Sequence, residues 1–308
     1  MNSFQVTTLG TGAALPAQGR FPSAQLFDAG GRLYLIDCGE GTQERLRQAS
    51  VNFNRIGRIL ISHLHGDHYL GLMGLISTMH LNGRTEELHL HGPAELNEVV
   101  QLQLRVSGTW LRFPLRFHAV EHRSGVELFT DDRVTVTSLA LRHRIPTTGF
   151  LVREHQQPLK LRPEAVPLIP HFMRDRVKAG EDLMKPDGTL VPNAGLTFPP
   201  APPRTYAYCS DTAPAPELLP WLKGVDLLYH EATFNEALAA RAKETYHSTA
   251  KQAAAMARDA GVGRLLLGHF SSRYRDLLVL LDEAREVFPE TLLSNEGAVF
   301  SIDQRSGV

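Results

Sequence analysis

The sequence predicts a layered α/β fold, with sheets packed together and helices outside. Three observations carry this expectation. Short apolar runs rich in branched or aromatic residues recur along the chain, each ending in a polar or glycine-rich turn. Helical periodicity fills several of the gaps between them. Other runs follow one another with no helix between, which a purely alternating parallel sheet does not allow. The 308 residues are enough for one large α/β domain or two small ones.

In chain order the strand candidates are FQVTTLG (4–10), RLYLIDCG (32–39), RILISH (58–63), ELHLHG (87–92), RVTVTSLALRH (133–143), TYAYCSD (205–211), VDLLYHE (225–231) and RLLLGH (264–269). The clearest helix is 250–260. Thr249 can cap it, Gln252 completes a capping box, and Gly261 supplies the stop. A final helix is expected from about Arg275 to Phe288. Residues 155–200 break the pattern, with eight of the 19 prolines and little periodicity. They read as an insertion that leaves the main body and returns. Gly10 and Gly12 lack the third glycine or the Gly-Lys-Ser/Thr of a nucleotide loop, so they read as a tight turn beside the active site.

The run ISHLHGDHYLG (61–71) places His63, His65, Asp67 and His68 within six positions. His63 and His65, two apart at an expected strand end, point the same way. Gly66 permits a sharp turn, and Asp67 and His68 then open a helix. One pair can face one cation and the other pair a neighbouring cation. Zinc takes four or more donors, so others must come from elsewhere. The strand ends supply His143, Asp211 and His269, with His230 and Glu231 ending another strand. Such ends gather along one sheet edge. The expected grouping is His63, His65 and His143 on one ion, and Asp67, His68 and His269 on the second. Asp211 would bridge them. His89 and His91 repeat the H-x-H spacing with no Asp-His after it, and are expected to be ordinary sheet residues.

Two divalent cations against two carboxylates leave a positive centre that favours an anionic substrate. Such a pair also activates water and stabilises both oxygens of an in-line displacement. Phosphodiesters, esters, thioesters and lactams all suit this chemistry. A departing alkoxide needs a proton or a partner, and Glu231 with His247 are the candidates. His247 lies just before a helix start, where an anionic phosphate is favourably placed.

Bulk charge points away from a protein that coats nucleic acid, since the formal net charge is −1 and the pI is 6.9. Local basic segments remain, notably Arg142, Arg144, Arg153, Lys160 and Arg162. Two cysteines give no disulfide framework, which fits a reducing cytosol, and both Cys38 and Cys209 are expected to be buried. No apolar run approaches the ~18 residues of a membrane span. The start, MNSFQVTTLGTG, reads as a first strand rather than a secretion signal.

SHLHGDH, HEATF (230–234), HST (247–249) and HFSSRY (269–274) occur in the order and with the gaps of ribonuclease Z, and LGTGAALPA, LIDCGEGTQ and YCSDT agree. The chain thus resembles the metallo-β-lactamase-fold endonuclease of tRNA 3′ maturation over nearly its whole length. H-x-H-x-D-H marks only the superfamily, while HEAT followed by HST points to this branch. The resemblance implies a four-layer αββα sandwich spanning 1–308 as a single domain, with 155–200 as a protruding arm, or exosite, that binds tRNA. It implies two Zn²⁺ per subunit on the seven ligands, with Asp67 also orienting or deprotonating the attacking water. Glu231 and His247 would assist departure of the 3′-oxygen, and Arg273 would contact phosphate. Arg174, Arg176 and Lys178 would contact tRNA from the arm, although His171-Phe172 stands where family arms often carry Gly-Pro. It further implies a precursor tRNA substrate, a cytoplasmic homodimer and no membrane. The alternative is a small-molecule phosphodiesterase or other hydrolase on the same di-zinc scaffold. An RNA-binding protein without catalysis is disfavoured by the intact ligands.

Overall fold

The computed structural model describes residues 3–200 and 202–303. Its first nine strands are β1 (Phe4–Gly10), β2 (Ala24–Ala29), β3 (Arg32–Ile36), β4 (Ile56–Leu60), β5 (Leu88–Gly92), β6 (Leu115–Ala119), β7 (Glu127–Thr130), β8 (Val134–Leu141) and β9 (Thr147–Glu154). Four two-residue strands follow: β10 (Lys160–Leu161), β11 (Leu183–Met184), β12 (Leu190–Val191) and β13 (Thr197–Phe198). The last five are β14 (Thr205–Cys209), β15 (Leu227–Glu231), β16 (Arg264–Gly268), β17 (Thr291–Leu293) and β18 (Val299–Ser301).

Among the described residues, two large sheets have the orders β18-β1-β2-β3-β4-β5-β6 and β17-β16-β15-β14-β9-β8-β7. Each is mixed. β3 through β6 run parallel, as do β14 through β17, while β1 to β3 and the β14–β9 pair are antiparallel. Alternation along β14 sets the layers. Tyr206 and Tyr208 enter a core shared by both sheets, with Phe27, Phe150, Tyr229 and Leu266. Phe27 and Tyr206 stack across it at 5.4 Å. Burying a side chain such as Phe27 contributes roughly 1.5–3 kcal/mol. Ala207 and Cys209 face the other way, into the core under the helix Ala250–Ala260. On the first sheet, Leu35, Ile59 and Leu90 pack under the helices Leu72–Leu81 and Glu95–Val106. The order is therefore helix, sheet, sheet, helix, which is the expected sandwich.

The helix Ala250–Ala260 starts with both bonds of the Thr249–Gln252 capping box and stops at Gly261, whose φ is +62°. The last helix, Leu278–Arg285, is shorter than the periodicity predicts. The Asp276 carboxylate accepts from the Leu278 N–H and so holds residues 275–277 in a turn. The N–H groups of Val287 and Phe288 both bond to the Ala284 carbonyl, which tightens the chain before Pro289.

Residues 154–203 form a compact unit separate from the rest. A small core of Ala165, Ile169, Val177, Leu183 and Leu196 holds it together. Around that core lie the β10–β13 and β11–β12 pairs and the short helix Arg174–Lys178. His171–Met173 form a 3₁₀ turn with Phe172 exposed.

Candidate metal centre

The candidate ligands lie where the strands of both sheets end. The chain leaves β3 at Asp37, β14 at Asp211 and β16 at His269, and all three residues adopt left-handed backbone conformations, with φ of +56°, +55° and +56°. Such a conformation turns the chain sharply out of the sheet at a cost of order 1–3 kcal/mol for a non-glycine residue. His63 and His65 were expected at a strand end. Instead β4 stops at Leu60, and both histidines stand in the following loop. They therefore converge through different ring nitrogens rather than as a parallel pair. His143 likewise stands two residues beyond β8. Asp67 and His68 do open a helix, the single turn Gly66–Tyr69.

All seven residues come together, in two groups. His65 Nδ1 lies 3.0 Å from His63 Nε2 and 3.2 Å from His143 Nε2. Asp211 Oδ2 lies 3.6 Å from the Nε2 atoms of both His63 and His143. In the second group, Asp67 Oδ2 is 3.5 Å from His68 Nε2 and 3.4 Å from His269 Nε2. Asp211 Oδ1 is 3.1 and 3.0 Å from the same two nitrogens. One carboxylate thus turns an oxygen to each group.

The surrounding hydrogen bonds settle which ring nitrogen carries the proton. A carboxylate or carbonyl oxygen can only accept, so the donor must be the imidazole. His68 Nδ1–H donates to Asp37 at 2.7 Å, and His143 Nδ1–H donates to the Tyr246 carbonyl at 3.0 Å. Their Nε2 atoms then aim lone pairs at the cluster. His68 Nε2 is buried and makes no hydrogen bond. A nitrogen lone pair facing carboxylate oxygens at these distances calls for positive charge between them. Five imidazoles and two carboxylates match what zinc and similar cations accept. The residues present fit such ions.

Within the cluster, burial and the mutual attraction of opposite charges work against each other. Burial works against the ionised Asp67 and Asp211, yet the neighbouring histidines, His68 and His269 foremost, hold both well below the usual carboxylate range. Burial lowers His63, His65 and His143. Burial also opposes the charged form of His68, but Asp211, Asp37 and Asp67 outweigh it and raise this histidine.

Sequence reasoning missed the groups that aim the ligands. Asp37 accepts from the Ser62 N–H and from Tyr208, at 2.8 and 2.6 Å, besides gripping His68. Thr233 Oγ1 sits 3.0 Å from His269 Nδ1 and donates to Glu231 at 2.5 Å. The Ala14 N–H donates to Asp67 at 2.7 Å. The turn carrying Ala14 needs its glycines, because a Cβ on Gly10 would lie 1.7 Å from the Pro22 carbonyl oxygen. An available signal for Asp37 was its position, an acid closing the apolar run RLYLI.

Glu231 ends β15, fully buried, and lies 2.7 Å from His247 Nδ1. Burial opposes charge on His247, but the Glu231 carboxylate outweighs it and raises the ring to about 9. Burial raises Glu231, and His247 outweighs that to lower it.

Known proteins share both the fold and the sequence. A profile described as Beta-lactamase superfamily domain matches residues 171–270, and one described as Anti-Pycsar protein Apyc1 matches residues 4–111. A metallo-beta-lactamase fold protein of Bacillus subtilis superposes with a TM-score of 0.71 at 20% identity, covering 98% of this chain and 100% of its own. The short form of human tRNase Z superposes with a TM-score of 0.70 at 29% identity, covering 97% and 99%. Ribonuclease Z of Bacteroides fragilis is 46% identical over 304 residues, which are 98% of this chain and 100% of its own. The chain belongs to the ribonuclease Z family.

In this ribonuclease Z family member the cluster floors an open cleft of ≈ 830 Å³. Arg273 lines the cleft, its guanidinium 5.9 Å from the Phe234 ring centre. Arg174, Arg176 and Lys178 all belong to the 154–203 unit. There Arg176 pairs with Glu181 at 2.6 Å and Lys178 with Asp175 at 3.7 Å, while Arg174 donates to the Ile169 and Val166 carbonyls. His89 and His91 lie within β5, as ordinary sheet residues do. Cys38 and Cys209 are buried and unpaired. Among the described residues no helix is long and apolar enough to cross a membrane.

Proposed function

We propose that this chain cleaves the 3′ trailer from precursor tRNA as a zinc-dependent endoribonuclease, leaving a 3′-hydroxyl on the tRNA. Family membership supports the substrate. The division of the two Asp211 oxygens between two nitrogen clusters is the observation that carries the metal reading.

His63, His65, His143 and Asp211 would hold one zinc, and Asp67, His68, His269 and Asp211 the second. When bound, two such ions activate water and neutralise charge on the phosphoryl group. Asp67, fixed by the Ala14 N–H, stands where it can orient the attacking water and take its proton. His247 is locked through Nδ1 by Glu231, which leaves Nε2 for the cleft. A protonated His247 there can donate to the departing 3′-oxygen, and Glu231 stabilises that charged form. Arg273 would steady a phosphate in the cleft.

Residues 155–200 would act as the tRNA-gripping arm, with Arg174, Arg176 and Lys178 offered to the backbone. The exposed ion pairs of Arg176 and Lys178 are each worth only about 0–1 kcal/mol and can be exchanged for phosphate. The resemblance also supports a homodimer, which the mass in solution tests directly.

The deciding experiment incubates the protein with a 3′-extended precursor tRNA, with and without a chelator, and maps the ends. Chelator-sensitive cleavage leaving a tRNA 3′-hydroxyl is expected. Cleavage that survives metal removal, or tight binding with no cleavage, would overturn the reading. Hydrolysis of small phosphodiesters alone would favour a small-molecule hydrolase.

A further inference from the structure

The cleft has two unlike walls. On the Asp67 side Leu15, Pro16 and Leu70 line it, with Leu15 and Leu70 exposed. On the Glu231–His247 side stand Arg144, one residue past His143, and Arg241, on the helix Ala239–Thr245 that leads to His247. Arg144 is exposed, forms an ion pair with no carboxylate among the described residues, and lies close enough to His65 and His247 to act on both electrostatically. Arg241 is held by one exposed pair with Glu244 at 2.7 Å, a contact cheap to exchange.

We propose that Arg144 and Arg241 clamp the backbone phosphate that lies one nucleotide upstream of the scissile bond, on the tRNA side. This rests on the phosphodiesterase reading above. In an in-line displacement the attacking water and the departing 3′-oxygen lie on opposite sides of phosphorus. The new bond joins the water oxygen to phosphorus, the bond from phosphorus to the 3′-oxygen breaks, and the phosphate stays on the trailer. Asp67 stands on the attack side and His247 on the departure side. The departing oxygen belongs to the nucleotide that becomes the tRNA 3′ end. Its ribose therefore lies against His247, and the phosphate on its own 5′ side reaches the wall bearing Arg144 and Arg241. Leu15, Pro16 and Leu70 make the opposite wall apolar, and Arg273, the third arginine lining the cleft, is assigned to the scissile phosphate. The asymmetry sets the direction in which the strand lies across the cluster. Arg144 and Arg241 are positioning residues, since the bond that breaks is one phosphate away.

The test compares wild type with Arg144→Ala, Arg241→Ala and the double variant. Precursor tRNA and bis(p-nitrophenyl) phosphate, which has no upstream phosphate, serve as substrates across a range of salt. The double variant should raise KM for precursor tRNA by ~10–100-fold with a much smaller change in kcat, and should flatten the salt slope by about one, the share of the one phosphate that the pair neutralises. Its loss on precursor tRNA should exceed its loss on the small diester by at least ~10-fold, and lysine at either position should restore most of the salt slope. Equal losses on both substrates, or an unchanged salt slope, would overturn the clamp alone. Wild type that leaves precursor tRNA uncut would overturn the tRNA reading and the clamp with it.

Discussion

Two histidine groups grow from the same sheet with the same H-x-H spacing and become different objects. His63 and His65 lie in a loop past β4 and meet Asp67, Asp211 and three more imidazoles. His89 and His91 stay inside β5 and meet His118 on β6. There His89 Nδ1 is 2.9 Å from His118 Nε2, and the His91 and His118 rings stack at 4.4 Å. The remaining company is Glu87, an exposed carboxylate 3.2 Å from His89 Nε2, and Arg58. Arg58 lies 3.4 Å from His91 Nε2 and covers the Phe129 ring at 4.2 Å. Burial, then His118, Arg58 and His89, push His91 down to about 3. Spacing is therefore not enough to make a metal site. Two carboxylates, Asp67 and Asp211, converge on the first group, whereas the second has one exposed carboxylate, Glu87, and the packed Arg58.

Removing the shared carboxylate should break the first group most severely. Asp211→Asn takes the charge that both sets of nitrogens face. A loss of several kcal/mol of stabilisation implies at least a ~10³-fold fall in cleavage, measured on precursor tRNA. Glu231→Gln should lower kcat by ~10²–10⁴-fold while metal content stays near wild type, since Glu231 contacts His247 at 2.7 Å and its proposed role runs through that ring. Asp37→Asn should weaken metal affinity by ~10–100-fold in a chelator competition, since it orients His68 from behind.

The smallest effect sharpens the second group. His91 holds its proton less tightly folded than unfolded, so the unfolded chain binds more protons below the ordinary value of 6.5. Its contribution to stability is whole above pH 6.5 and is lost as the pH falls toward 3. The slope over that window is about 1.4 kcal/mol per pH unit. His91→Gln should flatten the acid limb of denaturant-measured stability by up to that amount. An acid limb identical to wild type would show that His91 is not held neutral.

Much of this contrast was readable in the sequence. H-x-H-x-D-H announces itself because four donors crowd one short run. The strand ends bearing Asp211, Glu231 and His269 follow from apolar runs closed by polar residues. The rest depends on tertiary geometry. That His63 and His65 sit beyond β4, and that His65 presents Nδ1 while His63 presents Nε2, is decided by how the loop packs after Leu60. Asp37 gains its role from Ser62 and Tyr208, which come from the loop past β4 and from β14 and share no local pattern. The short helix at Leu278 was misjudged because the Asp276 turn competes with helical periodicity.

The most direct measurement is the metal content per chain of purified wild type, Asp211→Asn and the double variant His89→Ala/His118→Ala. The expected result is about two ions in wild type and in the double variant, and fewer than about one in Asp211→Asn. A wild type that retains at most one ion under saturating zinc, or a double variant that loses metal, would contradict the assignment of paired cations to the Asp211 cluster.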